Sequence, residues 1–122
     1  MENLDGKITL ELLGAERELV ANFGVVEKLE RQVLKRPIIR VLEGAANNNE
    51  IYFHEVVEAI MTGLAANRDT RFTRDQIGEY VFKKGLSNFV TFYIEYLAMC
   101  LTGTSLEKAQ SSDIPADPNK KK

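Results

Sequence analysis

At Asn22 the spacing of apolar residues changes period, and that change constrains the fold more than any other feature of the chain. Before it, "KITLELLGAERELV" alternates: Ile8, Leu10 and Leu12 share one face, while Lys7, Thr9 and Glu11 point the other way. Arg17, Leu19 and Ala21 continue the alternation past Gly14, which sits where a turn belongs. The pattern predicts a β-hairpin with strands near 7–13 and 16–21. A lone hairpin is marginal in water, so its apolar face must pack on the rest of the chain.

Beyond Asn22 the period is helical. In "NFGVVEKLERQVL", Phe23, Val26, Leu29 or Glu30, and Val33 recur at three to four residues, with Glu27, Lys28 and Arg31 outward. Asn22 is placed to cap this helix. Pro37 disfavours helical geometry at Arg36 and ends it. The same proline suits the first turn of a short second helix, "PIIRVLEGAA", stopped by Gly44 and "NNN". "YFHEVVEAIMTGLAAN" sets Phe53, Val56, Val57, Ile60 and Leu64 on one stripe, with Gly63 weakening its last turn. Thr73 and Gln76 form a capping box, and Phe72 and Ile77 a hydrophobic staple. Ile77, Tyr80 and Val81 face inward, and Lys83 and Lys84 suit the negative end of the helix before Gly85 stops it. A last helix, roughly 88–102, is capped by Ser87 and stopped by Gly103. The expected fold class is α+β, mostly α: an N-terminal hairpin packed on a bundle of about five helices, one domain over 1–103. The segment 104–122, with two prolines and mixed charge, reads as a flexible tail.

Composition removes several function classes. With 44% apolar residues, 28% charged residues and a net charge of −2, the chain is too apolar for disorder. Nothing in that balance attracts nucleic acid or an anionic membrane. No apolar run approaches the roughly 20 residues that span a bilayer, and no basic stretch before an apolar one marks a signal peptide. A cytoplasmic protein is expected. The single cysteine, Cys100 in "IEYLAMCL", reads as inert packing.

Residues 71–97 outline a helix-turn-helix, which raises DNA recognition. Base edges are read chiefly by Arg, Lys, Asn and Gln. The second helix, "SNFVTFYIEYLAMCLT", has neither Arg nor Lys, and Glu95 is its one charge. Arg68, Arg71 and Arg74 before it are offset by Asp69, Asp75 and Glu79. A DNA-binding regulator is therefore a distant alternative. The lone His54 stands beside an apolar stripe and reads as solvated, and Glu55 and Glu58 read as surface charge. No phosphate loop, nucleophile elbow or metal-ligand spacing is present. The expectation is no enzyme, no cofactor and no metal.

The last helix carries the functional expectation. Tyr93, Leu97 and Cys100 lie mid-arc, Ile94 and Leu101 on one flank, and Phe92, Tyr96 and Met99 on the other. Either the helix is central and wrapped by the rest of the fold, or that second flank serves a partner. Phe89, Phe92, Tyr96 and Met99 are the candidate partner-binding residues.

In order, the hairpin "GKITLELLGAERELVANFG", the helix with "VVEKLER", a helix ending "AIMTGL", the segment "IGEYVFKKGL" and an aliphatic-aromatic helix closing at "LTG" resemble a known family. The pattern is similar to the tail-assembly chaperones of long-tailed bacteriophages, specifically the small tail proteins of gene transfer agents and their phage relatives, over residues 6–103. The resemblance implies a non-catalytic role: binding the apolar, helical tape-measure protein, with the tail tube protein as a further partner, in the cytoplasm of the bacterial host. A structural tube or minor tail component of the virion is the alternative that it carries. Self-association through the hairpin's edges is also expected.

Overall fold

The hairpin forms where the alternation places it. The computed structural model, which describes residues 6–102, has β1 over Gly6–Leu12 and β2 over Ala15–Ala21, paired antiparallel from Gly6 with Ala21 to Leu12 with Ala15. Leu13 and Gly14 make a two-residue turn with φ of 52° and 90°, the left-handed pair whose twist matches that of the strands. Leu12 and Leu19 are fully buried, and Ile8 and Leu10 are half-buried against the core. Arg17 also faces inward, and its guanidinium lies 4.9 Å from the centre of the Phe72 ring.

The hairpin leads into five α-helices: α1 (Phe23–Lys28), α2 (Ile38–Asn48), α3 (Phe53–Ala66), α4 (Arg74–Lys84) and α5 (Val90–Thr102). The expected class, a hairpin packed on about five helices, is the observed one. Asn22 caps α1 by accepting the Val25 N–H at 2.9 Å. The capping box at α4 is complete: Thr73 Oγ1 accepts the Gln76 N–H at 3.1 Å, and Gln76 Oε1 accepts the Thr73 N–H at 2.8 Å. The α3 stripe holds for Val56, Val57, Ile60 and Leu64, all buried, whereas Phe53 is 43% exposed.

Several local expectations are corrected. The buried stripe after Asn22 is Val25, Leu29 and Leu34, and Phe23 is exposed. Leu34 is turned inward by a π turn over Leu29–Val33, in which the Leu34 N–H reaches Leu29 O at 2.7 Å. Five residues then separate two inward-facing leucines, a spacing that a search at 3.6 passes over. Pro37 lies just before α2 in extended geometry rather than in its first turn, and the Ile38 N–H is satisfied by the Glu30 carboxylate at 2.9 Å. α2 runs through the buried Gly44 and ends at Asn49, which adopts the left-handed cap conformation. Ser87 sits inside a 3₁₀ turn, Leu86–Phe89, and α5 starts after it at Val90. Gly103 and the segment 104–122 lie outside the described residues.

α5 is the centre of the molecule. Tyr93, Tyr96 and Leu97 are fully buried, and the Tyr96 hydroxyl donates to Val20 O at 2.7 Å across 76 residues of chain. α3 meets both elements at Gly63. A Cβ there would lie 2.6 Å from Tyr96 Oη and 2.8 Å from Leu19 Cβ, and neither side chain has room to withdraw. Gly63→Ala is therefore expected to destabilise the fold by about 1–2 kcal/mol, the overpacking cost exceeding the gain of alanine in a helix. Urea denaturation measures it. A midpoint unchanged or raised would show that the contact relaxes freely.

A candidate protein-binding surface on α3 and α4

The four residues expected to face a partner do not reach the surface. Phe89 is 4% exposed, Phe92 8%, Met99 1% and Tyr96 0%. Phe92 and Tyr96 stack with centroids 5.7 Å apart, Phe89 meets the edge of Tyr80 at 6.2 Å, and Tyr96 is fixed by its bond to Val20. The flank of Phe92, Tyr96 and Met99 is core, because the hairpin, α1 and α2 pack on α5 and α3 meets it at Gly63, while on the other flank Ile94 is half-buried and Leu101 exposed. A helical wheel measures how much of a helix is apolar, and says nothing of which neighbour covers it. The same enclosure removes α5 as a recognition helix: among its residues only Thr91, Leu101 and Thr102 are exposed.

Leu101 apart, the exposed large apolar residues lie elsewhere, Leu13, Phe23, Ile39 and Tyr52 among them. Phe53 (43% exposed), at the start of α3, and Phe82 (69% exposed), on the outer face of α4, have ring centroids 6.3 Å apart. Beside Phe53 runs a groove of about 340 Å³, lined by Phe53, His54, Val57 and, from α4, Arg74, Asp75, Gly78 and Glu79. Across the ridge formed by Asp75 and Glu79 lies a second depression of about 330 Å³, lined also by Leu13, Gln76, Tyr80 and Lys83. Arg74 is ion-paired with Glu58, while Asp75 and Glu79 have no cation among the described residues. The surface is thus an apolar strip along an acidic ridge. His54 stacks on Tyr52, with ring centroids 5.9 Å apart, at the margin of this surface. Periodicity places Phe53 on a buried stripe, which the structure corrects; Phe82, outside every apolar stripe, is the signal in the sequence for an exposed ring.

The titratable groups explain themselves structurally. Glu55, expected as surface charge, is 3% exposed and held by both guanidinium nitrogens of Arg36, at 3.0 and 3.3 Å. Glu58, with Arg74, is half-buried. The Tyr93 hydroxyl is buried without a hydrogen-bond partner among the described residues, and burial with the Glu55 charge nearby pushes its pKa up, keeping it neutral. Among the described residues, no three His, Cys, Asp or Glu side chains converge as metal ligands, and no helix is long and apolar enough to cross a membrane. No family model, curated protein or solved structure matches the chain.

Both Cys100 and Gly78 give measurable expectations. Burial pushes the Cys100 thiol up to about 12, so at pH 8 almost none of it is thiolate. Labelling of the native protein by a thiol reagent is expected to run about a hundredfold or more slower than that of a free cysteine, and fast labelling would contradict the enclosed α5. A Cβ added at Gly78 meets nothing within 4 Å, so Gly78→Ala is expected to stabilise α4 by about 0.5–1 kcal/mol, read by thermal denaturation. A loss of stability would mean that the groove floor is already filled.

Proposed function

We propose that this chain is a non-enzymatic tail-assembly chaperone that holds an apolar, helical tape-measure protein in solution, and that the surface around Phe53 and Phe82 does the holding. The observation that carries this reading is the pair of exposed aromatic rings in contact beside a groove, on a chain whose α5 aromatics are enclosed. The order of hairpin and helices that underlies the resemblance to small tail proteins supports it too. The chemistry fits a helix that presents an apolar stripe flanked by lysine or arginine, since Asp75 and Glu79 rim the groove.

The energetics are modest and suit a reversible holder. The exposed parts of Phe53 and Phe82 amount to about one phenylalanine side chain, worth roughly 1.5–3 kcal/mol on burial. That corresponds to a factor of about ten to a hundred in affinity before ordering costs. Several such contacts along a long tape-measure helix add to a useful residence while leaving each one replaceable by tube subunits.

Co-expression with tape-measure fragments, followed by pull-down, tests the reading. The unmodified chain is expected to keep the fragments soluble. Phe53→Ser together with Phe82→Ser is expected to lower recovery by about tenfold, with a circular dichroism spectrum unchanged because both side chains lie outside the buried core. Undiminished recovery would sink the surface assignment. Many copies of the chain in finished particles, by mass spectrometry, would replace the chaperone role with that of a structural tail component.

A further inference from the structure

The two edges of the hairpin are not equivalent. A two-residue turn makes Leu12 and Ala15 a hydrogen-bonded pair, and every second pair along the ladder does the same: Leu10 with Arg17, Ile8 with Leu19, Gly6 with Ala21. The N–H and C=O groups of Lys7, Thr9 and Glu11 therefore point away from β2. No hydrogen bond between described residues engages them. On the opposite edge one of the corresponding groups, Val20 O, is taken by the Tyr96 hydroxyl inside the core, while those of Glu16 and Glu18 are likewise unengaged among the described residues. Pairing β2 with a second β2 would set Glu18 against Glu18, so β1 is the edge better suited to a second copy.

Its side chains are arranged symmetrically about Thr9. On the solvent face the order is Lys7, Thr9, Glu11; on the apolar face Ile8 and Leu10 flank the same point and are only half-buried. We propose that β1 pairs antiparallel with β1 of a second copy of this chain, Thr9 opposite Thr9, to give a four-stranded sheet across a two-fold axis. Lys7 of each copy then faces Glu11 of the other, and Ile8 faces Leu10. All three outward-pointing residues of each strand become hydrogen-bonded pairs, and the apolar faces stay on one side of the sheet.

Three observations favour this occupant. Glu11 faces Glu16 across its own hairpin, a like-charge pair, and no cation reaches it among the described residues; Lys7, whose own contact is a long, exposed 3.7 Å pair with Glu18, supplies the counter-charge from the second copy. Beside Leu10 opens a groove of about 330 Å³ lined by Leu10, Glu11, Tyr80, Lys84, Asn88 and Phe89, on the side where Ile8 of the second copy is set. Sliding the register by two residues in either direction separates Lys7 from Glu11, so the charges select one alignment.

Sedimentation velocity on the full chain tests it. Over about 10 μM to 1 mM the mass is expected to rise from 13.8 kDa toward twice that value. Lys7→Glu and Glu11→Lys are each expected to weaken association by about tenfold or more, since each sets like charges opposite one another at both ends of the pair. An equimolar mixture of the two variants is expected to associate again, because every introduced charge then meets its opposite. Thr9→Pro, which removes an edge N–H that no bond between described residues uses, is expected to abolish association with an unchanged circular dichroism spectrum. A chain that stays at 13.8 kDa throughout, or a mixture no better than its components, overturns the proposal. So does concentration-independent protection of the Lys7, Thr9 and Glu11 amides from hydrogen exchange, which would mean that this chain's own residues cover the edge.

Discussion

Gly63 has no side chain, and the meeting of α3, β2 and α5 depends on that absence. Leu19 and Tyr96 both come to within 3 Å of where its Cβ would stand, and the Tyr96 hydroxyl bonds Val20 O beside it. This contact joins the N-terminal hairpin to the last helix, which are as far apart in sequence as the described chain allows. A buried tyrosine needs a partner for its hydroxyl, and an outward carbonyl of a strand needs a donor. One bond answers both requirements at the helix-proximal end of β2. The exposed surface is set in large part by this contact: with α5 enclosed, its aromatic residues are out of a partner's reach.

The corner between α1 and α2 is held by charge as well as by the buried Leu34. The π turn after α1 leads to Lys35, at a positive φ of 56°, and the chain there reverses within a few residues. Glu30 reaches across the corner to the Ile38 N–H, and Arg36 reaches back to the buried Glu55 on α3. A buried carboxylate without its arginine would be costly, so the pair fixes which way the corner folds more than it adds net stability. The inward-facing Arg17 does similar work at the hairpin, lying over Phe72 where the loop before α4 returns.

The features legible in the sequence are those set by local physics. Strict alternation around Gly14 specifies the hairpin; the caps at Asn22 and Thr73 come from side chains that bond their own next turn. The features that are not legible need information from elsewhere in the chain. Leu34 is inward because of a π turn that no periodicity announces, and α2 continues through Gly44 because Asn49 provides the stop. Glu55 looks like solvated charge until Arg36, nineteen residues earlier, arrives beside it. The largest departure concerns Phe89, Phe92, Tyr96 and Met99. Their flank of α5 is apolar, as the wheel shows, but burial by the hairpin and burial by a partner leave the same pattern on a helical wheel. Only the position of Gly63 distinguishes them, and a lone glycine near a helix end reads as weakness rather than as a contact.

Phe82, like Phe23 at 76% exposed, is a residue that the fold does not explain. α4 is held to the core by Ile77 and Val81, with Tyr80 half-buried beside them, and its ends are set by the capping box and by Gly85. None of these requires an aromatic ring on the outer face. A phenylalanine 69% exposed costs solubility and gives the monomer little in return, the more so with Phe53 only 6.3 Å away to extend the patch. The charged residues around it, Asp75, Glu79 and Lys83, keep the surface hydrated while leaving the ring accessible. Packing demands fix the interior of this protein closely enough to need a missing methyl group at Gly63. Against that standard an unneeded ring on the surface calls for a cause outside the monomer, and a partner's apolar side chain is the simplest one.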